Sequence, residues 1–205
     1  MNIFAVNDDP RLAALDLPDK LVVKMPTESL QLLTPWAFNA HGVYIQKPDG
    51  TNYGTKGYAH HPCAKWLYES PANVAWLLCH AIEMCKEYTE RYGKQHGVMY
   101  GLSQIMVVFV ENYGTEIPEE RTPFVQAMPE ECRIPDDPVT AYRNYINKYK
   151  GYAEWNHSNK PWWWKDELHE PCRQQYLAER EAKRMKRQNA KHNRVSSTVQ
   201  NQRGV

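Results

Sequence analysis

Near the start of the chain, ionisable groups recur at helical spacing in Asp19-Lys20-x-x-x-Lys24-x-x-x-Glu28-x-x-Gln31. Steps of four, four and three place Lys20, Lys24, Glu28 and Gln31 on one face of a helix that Asp19 begins. A carboxylate flanked by ammonium groups suits the excision or modification of a nucleobase. The carboxylate moves a proton or faces a developing carbocation, and the cations hold phosphate. The same row could equally be a solvated face carrying i,i+4 salt bridges. The apolar opposite face, with Leu21, Val22, Met25, Leu30, Leu32 and Leu33, and the extension of the polar row to Gln31 keep the chemical reading open.

Three further groupings carry possible chemistry. Tyr58-Ala59-His60-His61-Pro62-Cys63-x-x-Trp66 puts adjacent histidines at a loop-to-helix junction, where they could bind phosphate, orient a base or simply cap the helix. Glu87-Tyr88-x-x-Arg91-Tyr92-Gly93-Lys94-x-His96 gathers cations at a helix C-terminus, as the helix dipole favours, with phosphate contact as a second use. Thr122-Pro123-Phe124-x-Gln126-x-Met128-Pro129, Tyr142-Arg143 and Pro161-Trp162-Trp163-Trp164 supply aromatics beside an amide and a guanidinium. Such a set suits an unstacked base, although at least two of the tryptophans are expected to fasten the chain to the core. The histidines show no helical H-x-x-x-H pair and the five cysteines no C-x-x-C pair, so neither a metal nor another cofactor is expected.

These groups must be positioned by helices. Asp9-Pro10 caps a short helix over Arg11 to Leu15, and the helix from Asp19 should kink or restart at Pro26. Thr34 to Ala59 reads as a loop with a hairpin turn at Asp49-Gly50. The clearest element starts at the capping Ser70 with Pro71, runs to Tyr92 and stops at Gly93. Further helices are expected over Leu102 to Tyr113, Val139 to Trp155 and Gln174 to Ala190. The fold class is mainly α: a single compact domain over residues 1–170 with a long central helix and Pro-rich loops, then a basic, partly helical or disordered tail over 171–205. From Ala178 onward the net charge is +6 within a chain of +1, leaving the body acidic. The tail is either a solubilising extension or a source of non-specific phosphate affinity. No secretory signal or membrane-spanning run is read, and the odd cysteine count fits a reducing compartment.

The blocks Met1-Asn2-Ile3-Phe4, Asp19-Lys20-x-Val22-Val23-Lys24-Met25-x-x-Glu28-x-x-Gln31-Leu32-Leu33, His61-Pro62-Cys63-x-x-Trp66, Cys85-x-Glu87-Tyr88-Thr89-x-Arg91-Tyr92-Gly93-Lys94-x-His96, Thr122-Pro123-Phe124-x-Gln126-x-Met128-Pro129 and Asp137-Pro138-Val139-x-Ala141-Tyr142-Arg143 resemble a widespread family of small bacteriophage proteins, over most of Met1 to Trp164. That pattern is distantly similar to the pyrimidine-dimer DNA glycosylases. Those are small helical proteins with Leu-x(10)-Glu in the first long helix, His-Pro before the central helix and an aromatic C-terminus. Leu17 to Glu28, His61-Pro62 and Pro161-Trp162-Trp163 match these landmarks. The resemblance implies that Glu28 is the catalytic carboxylate. Two features depart from it: Leu21 stands where the phage family usually has histidine, and Pro26 is not expected. The glycosylases attack through an N-terminal amine freed by methionine removal. Asn2 is expected to keep Met1 in place, so an imine would have to form on Lys20 or Lys24.

The expectation is therefore a phage enzyme in the cytoplasm of an infected bacterial host, acting on a pyrimidine in DNA. Glu28, Lys24 and Lys20 are the catalytic candidates. Asn2, Asp19, Gln31, His60, His61, Trp66, Arg91, Lys94, His96, Gln126, Tyr142 and Arg143 are the substrate-binding ones. A transferase that hypermodifies a pyrimidine in phage DNA, and a non-enzymatic protein that binds a host factor, are the alternatives.

Overall fold

The computed structural model describes residues 2–116 and 120–202, with side chains as far as Ala190. These residues build seven α-helices: α1 (Pro10–Leu15), α2 (Asp19–His41), α3 (Pro62–Leu67), α4 (Pro71–Tyr92), α5 (Met99–Tyr113), α6 (Pro138–Tyr149) and α7 (Asp166–Gln202). A 3-10 turn spans Glu130–Cys132. Among the described residues, β pairing is limited to an isolated bridge between Gln46 and Asn52, closed by the Asp49-Gly50 turn with Gly50 at φ 82°.

The central helix has the ends its sequence dictates. Ser70 Oγ accepts from the Ala72 amide, Pro71 occupies the first turn, and Gly93 closes the helix in the left-handed conformation at φ 67°. Its buried face, with Val74, Leu77, Leu78, Ala81 and Cys85, packs on α1, α2, α3 and α5. Burying each large aliphatic side chain contributes about 1.5–3 kcal/mol.

α2 corrects two expectations. It runs unbroken through Pro26 and Pro35 to His41, so the segment from Thr34 that reads as loop is helical as far as Gly42, a left-handed C-cap at φ 70°. Each proline removes one intrahelical hydrogen bond. Both rings are buried in a helix whose Leu21, Val22, Met25, Leu30, Leu32 and Leu33 are also buried, and that packing on α4 offsets the loss.

The first unit comprises Met1–Tyr145 and Ala153–Trp164. Within it the N-terminal segment Ile3 to Val6 is buried and bends at Phe4, whose φ is 42°, with the Val6 amide donating to the Phe4 carbonyl at 2.8 Å. Asn2 fixes this bend: its Oδ1 accepts from the Ile3 and Phe4 amides, and its Nδ2 donates to the Ala127 carbonyl at 2.7 Å. Among the tryptophans, Trp163 is buried and donates to Asp16, Trp164 meets the Trp155 ring edge-on at 4.6 Å, and Trp162 is 81% exposed.

The second unit comprises Ile146–Tyr152 and Lys165–Val205. α6 ends at Tyr149, not at Trp155, because the chain turns at Gly151 to lie against α7. A Cβ on Gly151 would stand 2.2 Å from the Cys172 carbonyl, so only glycine permits this approach. Asn147 Oδ1 accepts from the Lys165 amide, and His169 Nε2 lies 3.2 Å from the Lys150 carbonyl, which fixes the root of α7.

Candidate functional site

Helical spacing brings Lys24 and Glu28 together. Lys24 Nζ lies 2.7 Å from Glu28 Oε1, with the lysine side chain 67% exposed and the glutamate 15% exposed. Glu28 thus sits at the edge of the polar face of α2, where its carboxylate is partly desolvated. Lys20 and Gln31 are exposed on the same face.

The second member comes from the start of α3. His61 is its N-cap: Nδ1 accepts from the Cys63 amide at 3.1 Å, which leaves the proton of the neutral ring on Nε2. Burial first, then the positive charge of the chain's N-terminal amine, lowers the His61 pKa, and the Glu28 carboxylate raises it. Glu28 and His61, from elements more than thirty residues apart, therefore act on each other electrostatically. Cys63 lies in the same field. Burial pushes its thiol up to about 12, and the smaller influences on it include a hydrogen bond from the Ile3 backbone and the Glu28 charge. A thiol held neutral in this way is a core group, not a nucleophile.

A groove of about 700 Å³ opens between α2, α3 and the segment before α3. Leu32, one turn beyond Glu28, forms part of its wall with Asn39 of α2, Ala64 of α3, and Tyr58, His60 and Tyr68. Tyr58 holds φ 56° and is half exposed, as is Tyr68, whose hydroxyl accepts from Asn39 Nδ2 at 3.3 Å. His60 thus faces the groove while His61 caps the helix. Asn39 and Tyr68 lie outside the groupings singled out in the sequence. Tyr58 stood beside the two histidines and was the one signal available.

Several candidates have internal partners instead. Arg91 is buried and donates to the Leu15 and Leu17 carbonyls at 2.9 and 2.8 Å, to Asp19 at 3.1 Å and to Glu87 at 3.2 Å. Asp19 Oδ2 also accepts from the Asn156 amide at 2.7 Å. Arg91 and Asp19 thus tie α4 to the start of α2. His96 Nε2 lies 3.0 Å from the Val23 carbonyl and so acts as its donor. Lys94 is exposed, with Nζ 5.8 Å from the Tyr88 ring centre.

Trp66 is buried and donates to the Pro123 carbonyl, and the fully buried Tyr142 donates to that of Val125. Gln126, expected to read a base edge, makes both its amide bonds to Ile134, donating to the carbonyl at 2.7 Å and accepting from the amide at 2.9 Å. Asn2 is used within the N-terminal bend. Arg143 donates to the Val6 carbonyl and lies 5.0 Å from the centre of the exposed Trp162 ring.

Among the described residues, no group of three or more His, Cys, Asp or Glu is arranged to hold a metal ion, and no helix is long and apolar enough to cross a membrane.

Residues 1–99 match the family described as pyrimidine dimer DNA glycosylase. The chain is similar to that family over an interval that contains Lys20, Lys24, Glu28, His60 and His61 and leaves out Gln126, Tyr142 and Arg143. Among curated proteins and among solved structures, nothing matches the chain.

Proposed function

We propose that this protein is a DNA glycosylase-like enzyme that releases a pyrimidine base from DNA, with Glu28 as its general acid/base. The supporting observation is the partly buried Glu28 carboxylate, held by Lys24 one helical turn before Leu32 of a tyrosine-lined groove, inside the interval that resembles the glycosylases.

Cleavage of the bond between the sugar C1′ and the base nitrogen builds positive charge on the sugar, which a nearby carboxylate stabilises. Glu28 then takes a proton from the water that attacks C1′, and the departing base nitrogen takes up a proton. Lys20 and Lys24 contact phosphate. Tyr58 and Tyr68 offer ring faces for an unstacked base, and Asn39 offers an amide for its edge. In the finer form of this reading the enzyme is phage-encoded and works in the cytoplasm of an infected bacterial host, on the basis of the sequence blocks that resemble the phage family.

The test uses duplexes carrying an ultraviolet-induced pyrimidine dimer or a modified pyrimidine, with released base detected by mass spectrometry. Glu28→Gln is expected to abolish release while leaving the melting temperature unchanged. Undiminished release by Glu28→Gln removes the proposal. A heavier nucleotide in place of free base makes the enzyme a transferase.

A further inference from the structure

We propose that one face of α7 is a docking strip for the phosphate backbone of duplex DNA, separate from the groove beside Glu28. Arg180, Lys183, Arg184 and Arg187 follow one another at steps of three, one and three. At 100° per residue they fall within a sector about 100° wide, and the spacing continues in the sequence at Lys191 and Arg194. All four described side chains are exposed. With Tyr176, Leu177, Gln188 and the carboxylates of Glu179 and Glu181 they line an open furrow of about 920 Å³.

Concentrating cations on one face opposes helix formation, because like charges three and four residues apart repel. Of the described acidic side chains, Glu181 relieves Arg184 alone, at 2.7 Å, in an exposed pair of little energetic weight. A polyanion lying along the strip would remove the repulsion and release counterions. The other side of the helix excludes a lipid surface, since Ala178, Ala182 and Met185 alternate there with Glu181 and Asn189 and form no apolar face. The contacts of Gly151, Asn147 and Lys150 at the root of α7 give the strip a fixed base.

The choice of DNA as the polyanion rests on the proposed function, and the experiment separates the two. The full chain is titrated by fluorescence anisotropy with an undamaged duplex of about 20 base pairs over a range of salt, a length chosen to exceed the roughly 1.5 Å per residue span of the strip. The variant R180Q/K183Q/R184Q/R187Q is expected to lower the slope of log affinity against log salt by about 3 to 4. A second variant, R180A/M185R/R187Q/Q188R, keeps the net charge but scatters it around the helix, and is expected to bind more weakly than the parent. An unchanged slope in the first variant, or parental binding by the second, overturns the strip. So does tighter strip-dependent binding to duplex RNA or to phosphatidylglycerol vesicles. Strip-dependent DNA binding by a protein that releases no base leaves the strip standing and removes the glycosylase reading. Base release with no strip dependence of binding does the reverse.

Discussion

α2 carries two carboxylate–cation pairs of opposite character. At its start, Asp19 meets an Arg91 that is 1% exposed and shared with Glu87 and two main-chain carbonyls. Two turns on, Glu28 meets a Lys24 whose head is mostly in water. The first pair is buried, with its partners supplied by the protein. The second lies at the protein surface, where solvent reaches its lysine. Equal chemistry in the sequence thus becomes a rivet in one place and a candidate catalytic pair in the other. The difference lies in what surrounds each pair, since the charges themselves are alike.

The sharpest break of the comparison is Arg91→Ala. It strands Asp19 and two buried carbonyls, and is expected to lower unfolding free energy by about 3–5 kcal/mol in denaturant titration. A loss under about 1 kcal/mol would return Arg91 to the list of available cations. Glu28→Gln is its counterpart. Activity should fall on the order of 10²- to 10⁴-fold, with stability changed by less than about 0.5 kcal/mol.

A third buried ionisable group tests whether burial alone makes a lock. His80 has no hydrogen-bond partner on either ring nitrogen among the described residues, and complete burial pushes its pKa from 6.5 down to about 3. Between those values the unfolded chain binds a proton that the folded chain refuses. Stability from this group is therefore present above pH 6.5 and falls on acidification by about 1.4 kcal/mol per unit. His80→Phe should flatten the fall between pH 6 and 4 in thermal melts, and an equal slope in both proteins would refute the assignment. The smallest effect belongs to Lys24→Ala, which is expected to change stability by about 0.3–0.5 kcal/mol. If borohydride traps an adduct with damaged DNA that this variant no longer forms, Lys24 is the attacking amine. Base release with no adduct in the parent instead leaves water as nucleophile.

Local signals were legible in the sequence and distant partners were not. Ser70-Pro71 and Gly93 bracket α4 because a cap acts within its own turn. Lys24 and Glu28 pair because i,i+4 is local. The unbroken course of α2 through Pro26 and its extension past Thr34 to His41 were hidden, since only burial against α4 reveals what offsets the lost hydrogen bonds. Arg91 read as a helix-end cation because nothing near it announces the carbonyls of Leu15 and Leu17, which lie more than seventy residues earlier. Gln126 failed differently: its partner Ile134 is close in sequence, but an amide that closes a loop and one that reads a base look alike until the loop is seen.

The fastening of the N-terminal segment sets an order of events during synthesis. Asn2 waits for Ala127, Val6 for Arg143, and Asp16 for Trp163. Segments synthesised early are thus among the last to find their partners. A nascent chain that has already made Lys24, Glu28 and His61 still lacks the segments that hold its beginning in place. Closures across so many residues are slow. A chain interrupted before Trp163 would carry the candidate catalytic residues on an unfinished scaffold.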